Sequence, residues 1–445
     1  MRTTTVLFTN NALASRAGSE MYIRDVALAL LRHGHRPIAF SLVLGETADE
    51  LRRATVPVID DLARLGSPPD IIHGHHHLET LIAALTFPET PVVHFCHGWV
   101  PWEEMPLRHP SVARYIAVDE VCLDRLVREE GIAPDRVEVL HNFVDLDRFK
   151  PRAPLPSTPR RALVYSNSAS ADGYARSIAA ACAAAGIALD IVGHAYGNPT
   201  DTPETLLQDY DLVFAKARAA LEALAVGCAV ILADAAGSGP LVTPGNFDRL
   251  RSRNFGIREL QNPHDAASYA REIGAYSADN SACVSARARS VAGLEPAVDR
   301  LLAIYAAAMA GQHQREGASQ AAATHLARIA RPLKDASHLS IAARELARDL
   351  ELARRNRDAE TLAAAPDRVR QLENDVDRLQ ARLAIAEGEL EAARARATRL
   401  DADYRSLPTL RLRDALLRVP VIGPLLQAGA RRCAHALDRF RPTAR

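Results

Sequence analysis

Two runs of short apolar segments alternating with helical patterns, parted by a proline-rich break, constrain this 445-residue chain more than any other feature. In the first 150 residues TVLFT, RPIAFSLVL, DIIHGH, PVVHFCH, RYIAV and RVEVLHN read as buried strands. MYIRDVALALLRHGH, closed by Gly34, reads as an amphipathic helix between the first two. Strands that alternate with helices build a parallel, doubly wound sheet that binds ligands at the strands' carboxyl ends. PRAPLPSTPR, residues 151–160, predicts an interdomain linker. The alternation then resumes: ALVYS, ALDIVG, DLVFA and AVILAD as strands, 171–186 and ARAALEALAVG as helices. It closes near 310 with the helical LEPAVDRLLAIYAAAMA. The expected fold class is α/β, with Rossmann-like domains over 1–150 and 161–310 facing each other across a cleft.

From 311 to 404 the chain becomes charged and helical in pattern. Val369, Leu372, Val376, Leu379, Leu383, Ala386, Leu390, Ala393, Ala397, Leu400 and Tyr404 keep a three-four spacing. That seam predicts an α-helical coiled coil from about 369 and, through it, a homo-oligomer. The tail, 405–445, mixes leucine and valine with many arginines and few acids. This composition predicts peripheral contact with an anionic membrane surface; a terminal helix packed on its own protein is the alternative.

Charge and cysteine bound the setting. The formal net charge is +0, which gives no general reason to expect nucleic acid as a partner. The cysteines (Cys96, Cys122, Cys182, Cys228, Cys283, Cys433) lack CxxC spacing, so free thiols in a reducing compartment are expected. With no signal peptide and no spanning apolar window, the expectation is a cytoplasmic protein, associated at most with the inner face of the membrane.

Candidate site residues cluster at predicted strand ends. RAGSE follows the first strand, and Gly18, Ser19 and Glu20 open the next helix, where bare backbone N–H groups can approach an anion or sugar. IIHGHHH offers His73, His75, His76 and His77. Alternation along a strand points neighbours to opposite faces, so one or two, His75 foremost, line the cleft while the rest bond locally. His94 and His97 end another strand beside Gly98, and either can donate to a sugar hydroxyl or a developing charge. Asp145-Leu-Asp147 matches a DxD metal motif only superficially; an Asn/Asp-rich turn explains it better. Glu222 lies in a helix led by Lys216 and Arg218, where the dipole already favours an anion. Gly237 and Ser238, after the next strand, predict a loop bordering a nucleotide or sugar.

Taken in order, these segments resemble glycosyltransferase family 4. VLHNFVDLDRFKP is similar to that family's junction segment, RAGSE to its first loop, HGW to its cleft histidine segment and ALEALAVGCAVILAD to its donor-binding helix and strand. The resemblance spans about residues 5–310 and falls on Gly18, His97, Asn142, Asp145 and Glu222. It implies a GT-B fold, an acceptor-side first domain and a second domain that binds the nucleotide sugar. It also implies transfer with retained configuration to a glycan or lipid-linked acceptor, as in bacterial surface polysaccharide synthesis, with no metal and no cofactor beyond the sugar nucleotide. Glu222 would hold the ribose and His97 would face the donor sugar. Two departures stand out. The family's sugar-gripping glutamate, eight residues before Glu222, is Phe214 here, and VYSNSASADGYAR lacks the usual lysine for the diphosphate. Lys216 and Arg218 are the expected replacements. A catalytically degenerate scaffold is the alternative reading, and a sugar-nucleotide epimerase a more distant one.

Overall fold

The computed structural model describes residues 2–98, 102–170, 173–311, 316–330 and 334. The coiled-coil seam and the basic tail lie outside the described residues. Among these, β1 (Thr5–Thr9), β2 (Arg36–Phe40), β3 (Val58–Ile59), β4 (Ile71–His75), β5 (Val92–Cys96), β6 (Val112–Ala117) and β7 (Val137–Val139) form one parallel sheet. Its order is β3-β2-β1-β4-β5-β6-β7. Helices α1 (Gly18–Arg32), α2 (Glu46–Arg53), α3 (His77–Thr86) and α4 (Glu120–Asp124) fall between its strands. Crossover helices cover both faces of such a sheet, which is why β4 and β5 are buried at every position.

The second sheet holds β8 (Arg161–Tyr165), β9 (Ala188–Val192), β10 (Leu212–Ala215), β11 (Ala229–Asp234) and β12 (Gly237–Leu241), in the order β12-β11-β10-β8-β9. All its pairings are parallel except that of β12 on β11. Helices α5 (Ala175–Ala184), α6 (Pro203–Leu206), α7 (Ala217–Val226), α8 (Phe247–Ser252), α9 (Ala266–Gly274) and α10 (Ala278–Val291) belong to this half, and α11 (Leu294–Ala310) follows. The α/β class with two sheet bodies is the expected one. No described helix is long and apolar enough to cross a membrane.

Two details change how the halves are joined. Helix α11, expected to end the second domain, packs on the first: Leu294, Val298, Leu301, Ile304 and Tyr305 share a core with Val6 and Phe8 of β1 and Ile23 and Val26 of α1. Their three-four spacing shows a buried stripe, and burying each such side chain contributes about 1.5–3 kcal/mol. The proline-rich segment is also no free tether. The Arg152 backbone N–H donates to the Val226 carbonyl, and its guanidinium donates to the Tyr210 carbonyl and to Asp211. The real joint is where the chain crosses twice. The Val144 N–H donates to the Ala292 carbonyl, and the Leu294 N–H to the Val144 carbonyl, so outgoing and returning strands are bonded side by side.

Candidate functional site

The turn after β1 and the start of α7 meet across the domain boundary. Arg16, Gly18, Arg148, Tyr165, Gly193, Arg218 and Glu222 line a shared cavity of about 160 Å³. Sites for small organic ligands usually enclose ~300–1,000 Å³, so the space here is small beside them. Gly18 has open space where a Cβ would project.

From Arg16 on the cavity wall a chain of ion pairs runs through Glu50, Arg24 and Asp25, which do not line the cavity, to Arg218 and Glu222, which do. Arg16 Nη1 donates to Glu50 Oε2 and Arg24 Nε to Glu50 Oε1, each at 2.7 Å. Arg24 Nη1 donates to Asp25 Oδ1 at 2.7 Å, and Arg218 Nη2 donates to Asp25 Oδ2 from the other domain. Arg218 Nε then donates to Glu222 Oε1 at 2.8 Å, one helical turn along α7. Burial pushes the Asp25 carboxyl up, but the Arg218 and Arg24 guanidinia outweigh it and hold it below the usual carboxylate range. For Glu222, only 6% exposed, burial wins over Arg218 and its affinity for a proton rises.

Lys216 departs from expectation. It stands at the N-cap of α7, but its Nζ pairs with Asp234 Oδ1 at 3.1 Å, and it does not line the cavity. The other Asp234 oxygen accepts from Ser168 Oγ at 3.0 Å, so hydroxyls occupy the loop where a phosphate cation was missing. Ala217 follows with φ +48, a left-handed conformation that costs a non-glycine residue about 1–2 kcal/mol. Its N–H donates to the Phe255 carbonyl, so this first donor of α7 is already used.

Gly237 and Ser238 also stand elsewhere than expected. They begin strand β12, and Ser238 is buried: its N–H donates to the Asn262 carbonyl and its hydroxyl to Pro263. A Cβ on Gly237 would come within 2.6 Å of the Leu260 carbonyl, so this glycine serves close chain packing rather than a ligand. Asp145 behaves as a turn residue, its Oδ1 accepting the N–H groups of Asp147 and Arg148. At Asn142 the backbone carbonyl accepts from Arg251 of α8.

The histidines form an internal column. Tyr305 of α11 bonds His73 Nδ1; His73 Nε2 lies 2.8 Å from His75 Nε2, which lies 3.3 Å from His97 Nε2. His75, fully buried, and His97, half-buried, each make a ring contact with Tyr22, and neither lines the cavity. His94 faces away from it as well, its Nε2 accepting the Leu107 N–H at 3.4 Å. Ser19 Oγ donates to Glu20 Oε2 at 2.9 Å, and burial raises the Glu20 carboxyl. His76 Nδ1 accepts the Asn11 N–H at 3.0 Å, leaving its proton on Nε2, 3.5 Å from Glu104. Among the described residues no group of three His, Cys, Asp or Glu side chains is arranged to hold a metal ion.

Burial lowers His94 to about 3 and His97 to about 4, with Glu104 opposing in both cases, so both rings are neutral at neutral pH. Unfolded histidines bind a proton below about 6.5, which the folded rings refuse until about 4 for His97 and about 3 for His94. Their stabilisation is thus complete above about pH 6.5 and is lost as pH falls toward those values. Each ring should cost up to about 1.4 kcal/mol per pH unit within that window. Urea unfolding at about pH 7 and about pH 5 checks this; equal midpoints would count against neutral buried rings.

Residues 16–148 match the model of Glycosyltransferase Family 4. No curated protein matches the chain. Among solved structures, a glycosyltransferase from Rickettsia africae is 15% identical, with 70% of this chain and 100% of that one covered and a TM-score of 0.53. Anabaena Alr3699/HepE, in complex with UDP and glucose, is 14% identical, with 68% and 99% covered and a TM-score of 0.52. Likeness at these identities establishes the two-domain GT-B fold.

Proposed function

With residues 16–148 carrying the Glycosyltransferase Family 4 pattern within a GT-B fold, we propose that the protein transfers a sugar from a nucleotide diphosphate donor to a glycan or glycolipid acceptor. The observation that carries this reading is the shared cavity, which brings the Gly18 turn of one domain against Arg218 and Glu222 of the other. Retention of configuration, independence from metal and a place in surface polysaccharide assembly complete the proposal. HepE, solved with UDP and glucose, supports a nucleotide sugar as donor.

In this reading Glu222 accepts the ribose hydroxyls. Arg218, with Arg16 opposite, faces the diphosphate as charge builds on the leaving group. Lys216, held by Asp234, is left out of that role. Neutral His97 donates to the sugar once the domains rearrange, and closure then excludes water that would divert transfer to hydrolysis. The acceptor enters along the first domain.

One observation favours a second reading, a degenerate scaffold. Phe214, where the family keeps its sugar-gripping glutamate, is fully buried in β10. Incubating the protein with a panel of nucleotide sugars separates the two. Release of nucleoside diphosphate with transfer is expected, and binding of none of them would leave only the scaffold. Glu222→Ala should raise the donor KM about ten-fold or more, since hydrogen bonds to a charged group contribute ~1.5–3 kcal/mol. Unchanged donor affinity would sink the ribose role.

A further inference from the structure

Three guanidinia (Arg16, Arg24, Arg218) and three carboxylates (Glu50, Asp25, Glu222) alternate in one chain of ion pairs, of which Arg16, Arg218 and Glu222 line the cavity, so their formal charges already cancel. Arg148, which also lines the cavity, is likewise paired, with Glu204 at 2.7 Å, so a diphosphate brought to Arg218 would bury negative charge unless one carboxylate gives up its share of that guanidinium. The two partners of Arg218 are not equivalent. Glu222 lies on the same helix and travels with it. Asp25, 1% exposed, lies on α1 of the opposite domain, so any separation of the two domains would part it from Arg218. Asp25 also keeps Arg24 after releasing Arg218, so the exchange strands no buried charge.

We propose that Asp25 is a built-in competitor for the donor: in the empty cleft its carboxylate occupies the position on Arg218 that the nucleotide's diphosphate takes. This rests on the transferase reading and deepens it. Arg218 then alternates between an internal anion and an external one. The swap ties donor binding to separation of α1 from α7, and the return of Arg218 to Asp25 favours departure of the nucleoside diphosphate after transfer. Arg24 is a positioning residue in this scheme, because its hold on Asp25 lets Arg218 leave.

The test titrates UDP, GDP, ADP and dTDP into the full-length protein by calorimetry, for the wild type, Asp25→Asn and Arg24→Gln. Removing the competitor should tighten binding of the preferred diphosphate at least about five-fold, within the usual range of coupling between sites. Arg24→Gln leaves Asp25 dependent on Arg218 and should weaken binding by a similar factor. A purely structural ion pair would not move affinity in opposite directions. If Asp25→Asn does not fold, the loss of affinity in Arg24→Gln, beside an unchanged circular dichroism spectrum, still decides the matter. Wild-type binding with no tightening in Asp25→Asn, or no weakening in Arg24→Gln, overturns the competitor while leaving the transferase standing. No diphosphate bound by any of the three proteins overturns both.

Discussion

Arg218→Ala should lower sugar transfer about 10²–10³-fold and also destabilise the folded protein. The first effect follows from the leaving group: a pre-placed donor aimed at developing charge contributes about 3–4 kcal/mol, and Arg218 is the cation nearest Glu222 on the cavity wall. The second follows from burial. Removing one member of a buried ion pair costs about 3–5 kcal/mol, because the carboxylates left behind stay desolvated. Asp25 would keep Arg24, so Glu222 is the stranded group, and it is already pushed toward its protonated form. Kinetics and urea unfolding read the two effects apart. A variant that unfolds earlier yet transfers at the wild-type rate, in conditions where it is folded, would reduce Arg218 to a structural bridge.

The second large effect lies in the core of the first domain. Leu301→Ala should cost about 2–5 kcal/mol, the usual range for truncating a fully buried leucine, since Leu301 is 0% exposed. The loss should appear in the first sheet, because Leu301 shares its core with β1 and α1. Amide exchange locates it: protection should fall in β1 and β4 and hold in β8 and β10. Loss confined to the second sheet would show that α11 belongs there instead. The same helix carries Tyr305, which bonds His73 at the head of the histidine column, so its seating also sets that column's imidazoles.

Much of this was legible in the residues themselves. TVLFT, ALVY and AVILAD lie in strands, and the Gly18 turn and the Glu222 helix do share a cavity. What periodicity cannot say is which surface a buried stripe meets. LEPAVDRLLAIYAAAMA shows its stripe plainly, but sequence proximity assigned it to the second domain while its core partners are β1 and α1. GSGPL read as a loop because glycine has weak strand preference. Its partners, β11 on one side and the 260–263 segment on the other, include one more than twenty residues away, out of reach of local patterning. Asp25 left a usable signal. Tyr22, Ile23, Val26 and Ala29 around it are all buried, and an acid on the buried side of an amphipathic helix calls for a cation from elsewhere. Lys216 could not have been sorted from Arg218, since its partner Asp234 comes from another strand end.

Because α11 completes the first core, the second domain is an insertion within the first. On the ribosome, β1 through β7 emerge long before the helix that covers them, and the whole of β8 to α10 must be made in between. Domains usually settle in the order of synthesis. Here the earlier one waits for the later, with the faces of Val6, Phe8 and Ile23 open to water or to a chaperone until Leu294–Ala310 is released. A nascent chain halted after α10 would therefore hold a finished second domain and an unfinished first.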